Sequence, residues 1–343
     1  MLDSPTQLSA PRLPLLTLYL TDRCNSRCVT CDYWRHGREN LTLAQVEALL
    51  PQLAMLGTRV VLLSGGEPLL NPEWREIAAA LRGAGLRLWL LTSGLSLAKH
   101  AAEATRQFDD ITVSLDGTNA DTYRAIRGLD AFDVVCRGVR AAVQEGARVG
   151  LRVTLQRSNY RELLRFVTLA REIGVRQVSF LAVDVHNPHA FARDRDFDDS
   201  LALRPADIEH FAALLSEMNT RFAGEFAAGF IAETPAKMRR LHDYFAAVAG
   251  RGAFPQPRCN APQFSAVVGV DGHVAPCFFI PGPRDAAPFD LRGALDGAPM
   301  RALRADIRAG GRRECDRCVC SMWRDPQTFL DPDRLLGERE RAA

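Results

Sequence analysis

Nine cysteines in 343 residues fall mostly into two groups with the spacing of metal ligands. Cys24, Cys28 and Cys31 stand in "TDRCNSRCVTCDYW", directly behind the apolar run "LPLLTLYL". Cys259, Cys277, Cys315, Cys318 and Cys320 occupy the last third, and Cys136 stands alone. Thiolates at such spacing hold zinc or an iron–sulfur cluster, and both normally take four ligands. For the first group, one reading is a Cys₃His zinc site completed by His36. The other is a [4Fe–4S] cluster with three protein thiolates and one iron left open for a functional ligand. The second group offers Cys259, Cys277 within a GX₄C motif, and the CxxC pair Cys315 and Cys318. On ligand chemistry alone, four thiolates there suit zinc or a closed cluster equally.

A second kind of chemistry sits in "VVLLSGGEPLL". Gly65 and Gly66 end a strand-like run and allow a small polar ligand close to the main chain. They can present backbone groups to an ammonium and a carboxylate, and Glu67 complements the positive charge. By that reading Gly66→Val weakens ligand binding more than it weakens the fold. Ser93 in "TSG" and Ser114 in "SLDG" stand at two further strand ends, where they contact a ligand or cap the following helix.

These residues need elements to position them. Six runs have the apolar character of strands buried on both faces: "LLTLYL", "RVVLLSGG", "RLWLLTSG", "DITVSLDG", "VGLRVTLQ" and "QVSFLAV". Helix-like segments separate them. Thr42 and Gln45 make a capping box, Pro51 kinks or shortens the helix that follows, Pro72 opens the next one, and Asn159 with Glu162 opens another. Alternation of this kind predicts parallel strands with right-handed crossovers, too few for a closed eight-stranded barrel. The fold class expected is α/β, a partial (β/α)₆ TIM-like barrel with a small C-terminal Cys-rich α+β module. A site on such a barrel lies at the carboxyl ends of the strands, where the three cysteines, "SGGEP", "TSG" and "SLDG" all fall. Beyond Val183 come a charged loop, a helix from about Pro205, a helix over "TPAKMRRLHDYFAAVAG", a linker, and a hairpin turning at Asp271-Gly272.

Composition narrows the classes. The formal net charge of +2 argues for neither a nucleic-acid partner nor a membrane surface. No run is long enough to span a membrane, and the first residues lack the pattern of a secretory signal. An odd cysteine count without such a signal points away from disulfides and toward metal chemistry in a reducing, cytoplasmic compartment.

The CxxxCxxC loop, followed one strand–helix unit later by "SGGEP", resembles the radical S-adenosylmethionine (SAM) enzymes. The resemblance runs from Leu15 to Val183, with a second match from Cys259 to Cys320. It implies that Cys24, Cys28 and Cys31 hold a [4Fe–4S] cluster whose fourth ligand is SAM. The cluster's electron, delivered by a donor such as flavodoxin or ferredoxin, cleaves SAM to a 5′-deoxyadenosyl radical that abstracts hydrogen from substrate. Gly65, Gly66 and Glu67 match the motif for the methionine end of SAM, Ser114 a nucleoside contact, and Ser93 a weaker counterpart. The family usually places an aromatic residue before the third cysteine, where this chain has Thr30. The C-terminal layout resembles the twitch form of the SPASM module, which implies a second, auxiliary [4Fe–4S] cluster on Cys259, Cys277, Cys315 and Cys318, with Cys320 spare.

The organisation expected is an N-terminal segment over 1–14 and the barrel core with its helical extension over 15–232. A helix and linker follow over 233–258, the auxiliary module over 259–330 and a tail over 331–343. The reaction expected is an oxidation or rearrangement of a small molecule. Modification of a precursor-peptide side chain is the alternative, less favoured because only a short segment precedes the first strand. A zinc-stabilised binding protein is the non-enzyme alternative. Cys136 reads as packing, His186 and His189 as loop residues near the substrate mouth, Arg124 and Arg127 as helix surface, and Asp116 as a strand-end anchor.

Overall fold

Leucine and valine at every second position give the strands one face that helices must cover. The computed structural model describes residues 13–193, 199–256, 258–320 and 322–324. The barrel opens with β1 (Leu15–Thr21), followed by the short helix α1 (Tyr33–His36) and α2 (Leu43–Met55). Then come β2 (Val60–Gly65), α3 (Trp74–Gly83), β3 (Arg87–Thr92), α4 (Leu97–Gln107) and β4 (Asp110–Ser114). Two helices, α5 (Ala120–Arg127) and α6 (Phe132–Gln144), lead to β5 (Val149–Leu155), and α7 (Leu163–Glu172) to β6 (Gln177–Ala182). All five pairings among β1 to β6 are parallel and run in sequence order. This is the partial α/β barrel that the sequence predicts.

Leu16, Leu18, Val61, Leu63, Leu88, Leu90, Val113 and Val153 form one buried core with Val46, Leu49, Leu53, Ile77 and Val139 from the covering helices. The opposite strand face is different. Leu15 and Val60, at the amino ends of their strands, pack with Ala261 and Phe264, and Trp89 and Met322 lie against them. Side chains from the last third of the chain thus plug the amino end of the barrel and leave the carboxyl end for chemistry.

After β6 follow α8 (Pro205–Arg221), α9 (Ala223–Ala228), α10 (Pro235–Val248) and α11 (Ala261–Phe264). The hairpin of β7 (Ser265–Val268) and β8 (Val274–Ala275) does not stand apart: β7 pairs in parallel with β1, and β8 antiparallel with β7. The sheet therefore runs unbroken in the order β6-β5-β4-β3-β2-β1-β7-β8. Its far edge is covered by the 230–232 segment, which exchanges main-chain hydrogen bonds with Val178. The chain continues through α12 (Leu291–Asp296), α13 (Ala298–Arg308) and α14 (Arg313–Asp316). The predicted tail over 331–343, the last residues of the predicted module and much of segment 1–14 lie outside the described residues.

Local details correct the sequence reading. The Thr42–Gln45 capping box is present, and α2 continues through Pro51 to Met55. Pro72 lies ahead of the helix cap, Glu73, so α3 starts later than expected. Asn159 and Glu162 do not cap α7. Asn159 instead ties the β4 and β5 ends together through Asp116 O and Thr154 O, and Glu162 gathers Thr118, Asn119 and Thr122. Asn159 thus donates to main-chain carbonyls at the strand ends, whereas Glu162 accepts from the donors of the loop after β4. Among the described residues no helix is long and apolar enough to cross a membrane.

Candidate cluster and cofactor site

The three-cysteine loop leaves the carboxyl end of β1 and is gripped from two sides by main chain. On one side, Gly66 N donates to Thr21 O at 2.7 Å and Glu67 N to Arg23 O at 2.8 Å. A Cβ on Gly66 would stand 2.1 Å from Arg23 O, and one on Gly65, at φ +113°, 2.2 Å from Thr21 O. Both glycines are therefore required by the close approach of the cysteine loop itself. This overturns the expectation that Gly66→Val acts on a ligand more than on the fold. On the other side, Arg27 N donates to Arg127 O and Val29 N to Ile126 O, both at 3.0 Å. Gly128 turns away at φ +73°, and a Cβ there would stand 2.4 Å from Arg27 O. Cys28 lies between these two anchors and is buried, with Cys24 and Cys31 partly so.

Glu67 is buried, and its carboxylate straps the strand ends. Oε1 accepts from the Thr92 hydroxyl at 2.8 Å and from Leu69 N at 3.3 Å, and Oε2 from Ser93 N at 2.6 Å. A carboxylate offers about four acceptor sites, so one more donor can be taken. Ser93 in turn donates its hydroxyl to Asn25 Oδ1 at 3.3 Å, which reaches back into the cysteine loop. Ser114 ends β4 and is partly exposed, and its register partner on β5 is Arg152. Sequence reasoning missed Arg152. It is exposed in the middle of a parallel strand and makes no ion pair among the described residues. The available signal was a full charge inside "VGLRVTLQ", where a strand covered on both faces should be apolar.

Arg124 lies on the helix surface as expected, paired with Asp121. Arg127 does not. Its side chain is 12% exposed and its Nη1 donates to the buried Asp116 carboxylate at 3.1 Å. Asp116 anchors the strand end, accepting Thr154 N at 2.7 Å. Cys136 is buried in α6, as its packing role requires. His186 packs its ring against Tyr244 and Phe254, and burial pushes its pKa down. His189 donates its backbone N–H to Asn187 Oδ1.

Burial pushes the Cys24 thiol up to about 11 and the Cys31 thiol up to about 12, and raises Cys28 as well. In the second group it pushes Cys277 up to about 12 and Cys315 up to about 11. Cys259 is exposed, and its charge is felt by Cys277, Cys315 and Cys318. Cys320, set aside as spare, is felt by Cys277 and Cys318, and its carbonyl accepts the Cys318 thiol at 3.1 Å. The two groups approach each other: the Tyr19 hydroxyl feels both Cys31 and Cys277, and its ring meets Tyr33 edge-on at 6.0 Å. Among the described residues no three His, Cys, Asp or Glu side chains are gathered at the spacing of a single metal ion. A four-iron cube draws on thiolates spread more widely than those around one ion.

Fold and site together define a partial (β/α) barrel that presents soft thiol ligands at its catalytic end. Residues 18–170 match the family model of the Radical SAM superfamily. It is 33% identical over 182 residues to the Fe-coproporphyrin III synthase of Methanosarcina barkeri, covering 51% of this chain and 45% of that protein. To the AdoMet-dependent heme synthase of the same organism it is 31% identical over 220 residues, covering 61% and 59%. The chain thus spans about half the length of these relatives. Among solved structures, Streptococcus suis SuiB bound to S-adenosylmethionine aligns with a TM-score of 0.63 at 14% identity, covering 91% of this chain and 73% of that one. Native anSMEcpe with bound AdoMet aligns with a TM-score of 0.63 at 16% identity, covering 90% and 89%. These two are likenesses of fold.

Two outcomes follow from the geometry. Gly66→Ala is expected to lower both the melting temperature of the metal-free protein and its capacity to take up iron, because the new methyl group displaces Arg23. Full iron uptake in a variant of unchanged stability would show that the loop tolerates the displacement. The second concerns pH. A thiol raised by folding keeps its proton longer in the folded chain than in the unfolded one, where its pKa is about 8.5. The stability it contributes is complete below that value and is lost as pH climbs toward 11 and 12, the values for Cys24 and Cys31. Metal-free protein should therefore lose stability across that alkaline window, and replacing Cys24, Cys28 and Cys31 by Ala should flatten the loss. Parallel pH profiles for the two proteins would contradict it.

Proposed function

We propose that this chain is a radical SAM enzyme whose first cluster rests on Cys24, Cys28 and Cys31 and whose site takes SAM as the cluster's fourth ligand. The observation that carries the reading is the docking of the three-thiol loop directly onto the Gly65-Gly66-Glu67 strand end. When bound, cluster and SAM supply an adenosyl radical that removes a hydrogen atom from an organic substrate.

The chain's own residues have distinct tasks in this reading. Gly65 and Gly66 fix the thiol loop against β2. Glu67 offers its remaining acceptor site to the ammonium of the methionine end, and Ser93, tied to Glu67 and Asn25, holds that strand end in register. Arg152 supplies the opposite charge, suited to a carboxylate, with Ser114 beside it as a hydroxyl for the nucleoside. A guanidinium pairs with a carboxylate through a two-pronged hydrogen bond, which would fix orientation as well as affinity. The plugged amino end of the barrel closes the site away from water on that side.

The second group, Cys259, Cys277, Cys315 and Cys318, is suited to an auxiliary [4Fe–4S] cluster that accepts the electron left on the substrate radical, giving net oxidation. An external one-electron donor of the flavodoxin or ferredoxin type would reduce the first cluster. A small molecule is the substrate preferred here. The peptide alternative draws on the likeness to SuiB bound to the precursor peptide SuiA, at 14% identity. No nucleic-acid or membrane partner is part of the reading.

Two four-iron clusters imply about eight irons per chain after anaerobic reconstitution. Changing Cys24, Cys28 and Cys31 together to Ala should remove half of them. Zinc in both sites, with no iron–sulfur absorption, would overturn the assignment. For Arg152→Gln, isothermal titration should find SAM affinity reduced about tenfold or more, the usual cost of removing one partner from a charged hydrogen bond. Unchanged affinity would remove Arg152 from the site.

A further inference from the structure

Behind the cysteine loop the structure leaves three buried polar groups without hydrogen bonds among the described residues. They are the Ser26 hydroxyl, the Tyr123 hydroxyl and Arg127 Nε. Native proteins rarely strand buried donors, and several together mark a group that completes them. Ser26 lies between Cys24 and Cys28 in sequence, and its hydroxyl approaches the Cys28 thiol without meeting hydrogen-bond geometry. Arg127 belongs to the α5 terminus that accepts the Arg27 and Val29 amides on either side of Cys28. Tyr123 lies one helical turn earlier, and its hydroxyl approaches the Arg127 guanidinium without meeting hydrogen-bond geometry.

The charge balance at this wall is uneven. Arg127 is paired with Asp116, yet all three thiols feel Arg127, and at Cys28 its effect exceeds that of Asp116. A guanidinium is permanently charged, so the wall carries a fixed positive field toward the thiol trio. Glu67 adds an opposing negative charge at Cys24. Donors and positive charge directed at sulfur are the means by which a protein stabilises the reduced, more negative state of an iron–sulfur cluster.

We propose that Tyr123, Arg127 and Ser26 form a donor wall that hydrogen-bonds the sulfurs of the group held by Cys24, Cys28 and Cys31 and raises its reduction potential. This rests on the first-cluster reading above. It goes beyond that reading by assigning residues of α5 a task in the electron transfer that precedes SAM cleavage. Two further features fit this wall: the Arg127–Asp116 pair holds the guanidinium in place, and Gly128, the residue after α5, lets the helix end close against the loop.

Tyr123→Phe is the discriminating variant, because a hydroxyl without a partner contributes nothing to the empty fold. Its metal-free melting temperature should equal or exceed that of the parent. In the anaerobically reconstituted full chain, an EPR-monitored redox titration should find the first cluster harder to reduce by roughly tenfold in equilibrium, about 59 mV for one electron. That signal is identified by its absence when Cys24, Cys28 and Cys31 are all Ala. Arg127→Gln combined with Asp116→Asn, which leaves no uncompensated buried charge, should shift the potential in the same direction. Full iron content with an unchanged potential in both variants would overturn the donor wall while leaving the cluster reading intact. A marked fall in metal-free stability for Tyr123→Phe would show a structural role for the hydroxyl and overturn its part. A parent chain that takes up no iron at these cysteines would overturn both readings.

Discussion

The main-chain grip on the cysteine loop is the constraint from which the rest of the site follows. A loop carrying three thiols, one buried and two partly so, has little regular structure to satisfy its own amides and carbonyls, and each unsatisfied buried group costs on the order of 1–3 kcal/mol. Here the partners come from outside the loop: the amides of Gly66 and Glu67, just beyond β2, and the carbonyls of Ile126 and Arg127 from α5. Such bonds demand close approach, which is why Gly65, Gly66 and Gly128 leave no room for a side chain. Once the loop is fixed this way, Glu67 necessarily stands beside it, and its carboxylate can bind Thr92 and Ser93 to carry the rigidity on to β3.

Much of this was legible in the sequence. Six strand-like runs with helical spacers gave the barrel, because strands covered on both faces read as continuous apolar runs. The thiol spacing and "SGGEP" gave the site's position for a similar reason, since few structural demands place three cysteines and two glycines at adjacent strand ends. What escaped was everything set by contact between distant segments. "TYRAIRG" reads as an ordinary amphipathic helix end, and nothing in its periodicity says that Arg127 turns inward to Asp116 while Arg124 stays outside. Gly66 was credited to a ligand because a single sequence cannot distinguish a glycine that admits a cofactor from one that admits another backbone. Arg152 was passed over since alternation tolerates a polar residue wherever a strand face is wet, and the wetness of a barrel's interior is a tertiary property.

The position of the Cys-rich segment has the same origin. A hairpin around Asp271-Gly272 was readable from its turn residues, but the edge on which it lands is decided by the open side of a barrel too short to close. β1 would otherwise present a bare edge at the very strand that leads into the thiol loop. Pairing with β7 removes that edge, and the same chain segment supplies Ala261 and Phe264 to fill the barrel's amino end. Stability of the barrel and placement of the second cysteine group are therefore one structural decision.

That shared strand also sets the relation between the two thiol groups. Tyr19 lies on β1 one residue beyond the last pairing with β7, beside Gly65, whose absent side chain would otherwise crowd its Cβ at 3.3 Å. Its hydroxyl feels Cys31 on one side and Cys277 on the other. Burial raises Cys24, Cys28 and Cys31 in the first group and Cys277, Cys315 and Cys318 in the second, so the metal-free chain holds these thiols neutral and they do not repel one another. Cationic metal would reverse that preference, since thiolate rather than thiol is the ligand. The low-dielectric packing that keeps the empty protein intact is thus the same packing that would strengthen every charge interaction in the loaded one. A fixed guanidinium behind the first group and a carboxylate strap beside it are then the two local charges of opposite sign that would act on a cluster there.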